Sequence, residues 1–228
     1  MTAPGTTSSF ELELRARHSA GISNAAIYAM VARALRSRGA SGGLFLDVGC
    51  GVGNLARFVS GDFDEYVGAD AVRYEGFPAD AAFSQVDLDT GRLPLPDGAA
   101  DVVAAVETIE HLENPRAFLR ELVRLAKPGG WVIVTTPNQL SLLSLLSLVV
   151  KGRFVHFQDV HYPAHLTALL EVDLRRIAGE CGLVDVAIEF SQHGRVPGTA
   201  RYYPQGLARR FPRALSDNVL MIGRKPDV

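Results

Sequence analysis

Between residues 44 and 107, short apolar runs keep ending in or on an acidic residue. Leu44–Val48 carries Asp47 into a glycine-rich turn, Tyr66–Ala69 stops at Asp70, Ala81–Val86 at Asp87 and Asp101–Val106 at Glu107. Segments of helical spacing separate these runs. Asn54–Val59 is one, and Pro115–Ala126 is another, with Phe118, Leu119, Leu122, Val123 and Ala126 on one face. Lys127-Pro128-Gly129-Gly130 stops the latter, and Trp131–Thr135 is a further apolar run. Leu170–Cys181 then reads as a helix stopped by Gly182, and Leu183–Phe190 with Val219–Gly223 as a closing antiparallel pair. Strands alternating with helices predict an α/β domain whose mostly parallel sheet carries helices on both faces. In such a sheet, ligands bind beyond the carboxyl ends of the strands, where strand order reverses. Asp47, Asp70, Asp87 and Glu107 would therefore meet along one edge.

Composition narrows the partners. Basic and acidic residues number 23 and 25, a balance that argues against general nucleic-acid binding. Cysteines number 2, Cys50 and Cys181, too few for a disulfide framework or a thiolate zinc site. The first residues lack the basic and apolar regions of a secretory leader, so a cytoplasmic protein is expected. Residues 1–40 read as an N-terminal helical extension, frayed over 1–9, with helical spacing from Phe10 to Arg38. Residues 41–228 read as the main domain, with an insertion at 137–165.

The first strand enters Asp47-Val48-Gly49-Cys50-Gly51-Val52-Gly53-Asn54. Alternate glycines permit a tight strand-to-helix turn and close approach of a ligand. A dinucleotide loop needs its third glycine where Asn54 stands. Asp47 would oppose a pyrophosphate but attract a cationic group such as an amino-acid ammonium. Asp70 lies near the distance at which an acidic residue takes ribose hydroxyls. An NAD-dependent oxidoreductase therefore fits poorly.

The ordered set LFLDVGCGVG, VGAD, VDLD, LPLPDGAADVV, ETIEHLENP and AKPGGWVIVTTPN resembles the class I S-adenosylmethionine-dependent methyltransferases, in particular their ubiquinone-type O-methyltransferase and type 11 groups, over roughly residues 44–190. The resemblance implies a Rossmann-like, seven-stranded sheet with its last strand antiparallel. It implies S-adenosyl-L-methionine as cofactor, held in the loop at Asp47, Gly49, Cys50, Gly51 and Gly53. Asp70, with Ala71 beside it, would bind the ribose, Asp87 the adenine amino group and Leu88 the ring, with Glu107 at the next strand tip.

Glu107-Thr108-Ile109-Glu110-His111 follows the fourth strand. Were a helical turn to start at Glu107, that residue, Glu110 and His111 would share a face. The run resembles two metal-using branches of the superfamily, the polyprenyl-catechol O-methyltransferases and the small-RNA 2′-O-methyltransferases. That resemblance implies Glu107, Glu110, His111 and His165 as ligands of a divalent metal such as Mg²⁺. The cation would lower the pKa of an acceptor hydroxyl. Two other readings stay open: His111 and Glu110 act on the substrate without metal, or both are structural.

Leu140–Val150, LSLLSLLSLVV, is too short to cross a bilayer, which needs about 20 apolar residues. Its serines at 141, 144 and 147 form a drifting helical stripe, and leucines cover the rest. A buried helix or lid is the plainer expectation. An interfacial helix, with residues 140–157 touching a membrane, is the sharper one. From Arg195 onward, seven basic residues face two acidic ones, a pattern most simply read as solvated surface. Tyr202 and Tyr203, beside Arg201, could stack on a substrate ring, or equally be one core contact and one surface residue. His161 is close enough to His165 to share its pocket, whereas His18, His156 and His193 suggest no role. Taken together, these features predict O-methylation of a small-molecule, sugar-linked or lipid-linked acceptor. RNA 2′-O-methylation and a non-catalytic cofactor-binding relative are the alternatives.

Overall fold

The computed structural model describes residues 21–89, 92–162 and 164–227. The first half of the expected extension, including residues 1–9 and His18, lies outside them. Seven strands form one sheet: β1 (Leu44–Val48), β2 (Glu65–Asp70), β3 (Ala82–Gln85), β4 (Ala100–Val106), β5 (Ala126–Pro137), β6 (Val184–Phe190) and β7 (Asn218–Arg224). Their order is β3-β2-β1-β4-β5-β7-β6. All neighbours are parallel except β7, which runs antiparallel to β5 and β6. The fold is the mixed, Rossmann-like sheet expected from the sequence. The chain moves outward from β1 to β3 and returns to β4, so strand order reverses between β1 and β4.

Alternation along each central strand feeds two cores. Phe45, Val102, Ala104, Ile133 and Leu220 pack on one face with helix α1 (Ala25–Arg36). Leu46, Val103, Val132 and Met221 pack on the other with α3 (Pro115–Leu125) and α5 (Glu171–Glu180). Asn24 caps α1 by accepting the Ala26 N–H, and Asn114 caps α3 through Ala117, with Pro115 entering the first turn. No helix among the described residues is long and apolar enough to cross a membrane.

The structure corrects three local readings. The helix expected at Asn54–Val59 is a single turn, α2 (Ala56–Val59), because Leu55 supplies no side-chain cap and Gly53 sits at φ +75°. Strand β5 begins at Ala126 and takes in the Pro-Gly-Gly stop, where the Gly129 N–H donates to Lys225 and the Lys225 N–H to Gly130. The third correction concerns α4 (Leu142–Lys151), which is not a buried apolar helix. Its serines face inward and its leucines outward: Ser144 is 0% exposed, while Val149 is 83% exposed. The serines are held there by hydrogen bonds. Ser147 Oγ donates to the Arg153 carbonyl at 2.8 Å and accepts from Gln158, and Ser144 Oγ accepts from the Val155 N–H.

Candidate active site

A cavity of about 530 Å³ opens at the β1–β4 reversal. Asp47, Asp70, Asp87 and Glu107 all line it, so the four acidic strand ends do converge. Gly49, Cys50, Gly51, Ala71 and Leu88 line it too. Gly53 does not. A Cβ there would strike Pro78 and Phe77, so this glycine serves packing of the loop.

The loop is held by its own hydrogen bonds. The Gly49 and Cys50 amides donate to the Ala69 carbonyl, Gly51 to the Asp70 carboxylate at 2.8 Å, Val52 to Gly21 and Gly53 to Cys50. Each amide from 49 to 53 thus has an acceptor, leaving no cluster of donors to cradle a phosphate. Gly49, at φ +77°, also allows close approach: a Cβ would lie 2.3 Å from Thr108 Oγ1. This contact seats the glycine loop against the turn that carries Glu110 and His111.

Asp47 is 2% exposed and accepts the Tyr66 hydroxyl. Burial, reinforced by the nearby Asp70 charge, pushes its pKa up to about 7. Asp70 is also raised by burial, although the Gly51 and Ala71 amides favour its ionised form. Both acids would become fully charged most readily beside a cationic ligand. Burial raises the Cys50 thiol well above its ordinary range, consistent with a residue that packs and does not attack.

At the other end, Glu107 stands at φ 50° and breaks the chain out of β4. The turn that follows is a single 3-10 turn, Ile109–His111, and not a helix starting at Glu107. Glu107 therefore leaves the face shared by Glu110 and His111. Thr135 and Asn218 donate to its two oxygens at 2.9 and 2.8 Å. Burial still raises its pKa to about 7.

Residues 164–167 pin the turn. The Leu166 and Thr167 amides donate to the Glu110 carbonyl, and the Thr167 hydroxyl donates to Leu112. This brings His165 beside His111, with ring centroids 4.7 Å apart. One ligand atom from each of Glu110, His111 and His165 fits within 4.8 Å of the others. Glu107, expected as a fourth ligand, lies outside that set. His111 Nδ1 sits 2.7 Å from the Ala164 carbonyl, and His165 Nδ1 sits 2.7 Å from that of His156. A carbonyl only accepts, so each Nδ1 carries hydrogen and each neutral ring keeps its lone pair on Nε2.

Glu110 is 0% exposed, and neither carboxylate oxygen has a hydrogen-bond partner of good geometry. Burial and the neighbouring Glu107 charge drive its pKa well upward. Burial, and next the charge of His111, lowers His165 to about 4. These groups suit a cation: it would satisfy the orphaned carboxylate and favour neutral imidazoles.

Sequence reasoning missed several cavity residues. His156 lines the cavity with a buried, unpartnered Nε2, and burial holds its pKa near 4. His161 joins it, as expected from its proximity to His165. His193 stacks on Tyr202 at 3.9 Å, so Tyr202 already has a ring partner. Arg195, read as solvated tail, pairs with Asp217 at the cavity wall. His193, Arg195 and Tyr202 come in with the segment between β6 and β7, which returns the chain to β5, and no local spacing signals that return.

The comparisons with known proteins identify the family and the fold. The methyltransferase-domain family model matches residues 23–188, and the chain belongs to that family, with the class I S-adenosylmethionine-dependent fold. It is 35% identical over 101 residues to a 2-methyl-6-phytyl-1,4-hydroquinone methyltransferase of Synechocystis sp., covering 41% of this chain and 32% of that protein. It is 31% identical over 149 residues to a ubiquinone biosynthesis O-methyltransferase of Chromobacterium violaceum, covering 60% and 63% respectively. The chain thus spans less than two thirds of the length of either relative. A SAM dependent methyltransferase from Archaeoglobus fulgidus shares the fold at a TM-score of 0.59 and 20% identity, covering 87% of this chain and 94% of that one.

Proposed function

We propose that this protein transfers the methyl group of S-adenosylmethionine to an oxygen of a small, apolar acceptor, free or carried on a lipid or sugar. The observation that carries the proposal is the buried Glu110 carboxylate, without a hydrogen-bond partner, beside His111 and His165 in the cavity that the acidic strand ends share. The names of the phytyl-hydroquinone and ubiquinone relatives support an apolar acceptor.

In this reading Asp47, Asp70 and Asp87 surround the cationic and hydroxyl-bearing parts of the cofactor. The sulfonium loses its charge as the methyl leaves, so a carboxylate touching sulfur would favour the ground state. The acids therefore act on the periphery, and the histidine end acts on the acceptor. His111, oriented by the Ala164 carbonyl, offers Nε2 to take the acceptor proton. A divalent cation held by Glu110, His111 and His165 would supply further acidification of that hydroxyl.

The test is an acceptor panel of phenols and prenylated quinols with methyl-labelled cofactor, run with a chelator and with added Mg²⁺ or Mn²⁺. Transfer to an oxygen that His111→Ala abolishes is the expected result. Unchanged turnover in that variant removes the site assignment, and transfer unaffected by chelation removes the metal.

A further inference from the structure

We infer that helix α4 and its basic flanks dock on an anionic lipid surface and hold the cavity mouth against it. The inference deepens the proposed function by naming the source of an apolar acceptor. It rests on that reading for the acceptor, and not for the docking itself.

The first observation is the inverted helix. Leu142, Leu145, Leu146, Leu148, Val149 and Val150 are all exposed, Val149 and Val150 at 83% and 71%. Soluble monomers seldom leave so many neighbouring large apolar side chains in water. The inner face is satisfied by serine hydrogen bonds, so the helix cannot roll its leucines inward without breaking them. At ten residues it is too short to span a bilayer. A helix with one apolar and one polar face lies in the plane of the interface instead.

The second observation is charge. Residues 142–158 contain no acid. Lys151 follows the helix directly. At its start, the Leu142 N–H donates to the Ala214 carbonyl, within five residues of Arg209 and Arg210. Those three cations make no ion pair among the described residues and are exposed. Arg153 and Arg213 are also exposed, but pair with Asp159 and Glu171. The whole chain carries a net charge of −2, so this excess is local. A second copy seated on the same face would bring like charges together around a two-fold interface. Anionic headgroups meet both the apolar face and the cations.

The third observation is continuity with the cavity. Gln158 bonds Ser147 beneath α4, and two residues later Val160 reaches the cavity. Val160 and Tyr162 line it while remaining 84% and 73% exposed. The apolar surface therefore runs from α4 toward the mouth through which an acceptor would enter.

Flotation of the full chain with phosphatidylcholine vesicles, with and without phosphatidylglycerol, tests this. Binding only to the anionic vesicles, weakened by salt, is expected. Leu146→Asp/Val149→Asp/Val150→Asp should abolish it, and Lys151→Gln with Arg210→Gln should each weaken it about fivefold. Binding of S-adenosylhomocysteine, measured by calorimetry, should be unchanged in every variant and reports folding. A wild-type chain that binds S-adenosylhomocysteine yet stays with the buffer overturns the docking and leaves the proposed function standing. Vesicle binding without S-adenosylhomocysteine binding does the reverse. Flotation undiminished by the aspartates, or a dimer that the aspartates dissociate in sedimentation velocity, also overturns the docking.

Discussion

At the glycine-loop end of the cavity, every backbone amide from Gly49 to Gly53 already has an acceptor, and Asp70 is bound to two amides. At the histidine end, Glu110, His156 and His161 hold four of the seven buried side-chain atoms that lack a hydrogen-bond partner among the described residues. The first end has its backbone satisfied before any ligand arrives, and among its described residues Asp47 Oδ1 alone is a buried side-chain atom without a partner. The second carries unmet polar groups whose burial costs stability until a cation or a substrate engages them. Under the proposed function the difference separates two tasks: one end would fit an unvarying cofactor, and the other would respond to what is bound.

The sharpest test of this contrast acts on turnover alone. His111→Ala and Glu110→Gln should each lower methyl transfer by about a hundredfold or more, with S-adenosylhomocysteine affinity unchanged by calorimetry. Loss of cofactor affinity in either variant would mean that the two ends are not separate.

The next effect is on stability. Asp47 ionises near pH 4 when unfolded and near 7 when folded, so its favourable contribution is complete below about pH 4 and is lost as pH rises through 7. Asp47→Asn keeps an acceptor for Tyr66 and removes this titration. Urea unfolding between pH 5 and 8 should show a flatter decline in the variant, by on the order of a few kcal/mol. Parallel curves would place the Asp47 charge in a better-solvated site than its burial indicates.

Asp70→Ala should weaken S-adenosylhomocysteine about ten- to a hundredfold, because one carboxylate both anchors Gly51 and faces the cavity. Asp87→Ala is expected to do less, since Asp87 is half-buried whereas Asp70 is buried. The smallest effect is structural. Gly49→Ala should cost about 1–2 kcal/mol from its positive φ and the Thr108 contact. Adding Thr108→Ala should recover part of it in thermal melts; additive losses would uncouple the loop from the turn that carries Glu110 and His111.

The strand pattern was legible because each central strand is a short apolar run that ends at a glycine or an acid. The acidic end of the cavity was legible for the same reason: Asp47, Asp70 and Asp87 occupy strand ends, and strand ends converge in a parallel sheet. Glu107 shows the limit. Its spacing to Glu110 and His111 suited one helical face, but a left-handed residue at the strand exit turned it toward Thr135 and Asn218. Asn218 lies 111 residues away, and no local pattern announces it.

Local periodicity thus determined the α/β class, the edge where the cavity opens and the acids that line it, since each follows from backbone geometry over a few residues. The tertiary structure alone decided which way α4 faces, which histidines join His111, and that Glu107 is spent on holding strands. Those outcomes depend on hydrogen bonds between segments far apart in the chain, and a buried polar group takes whichever partner folding brings within reach.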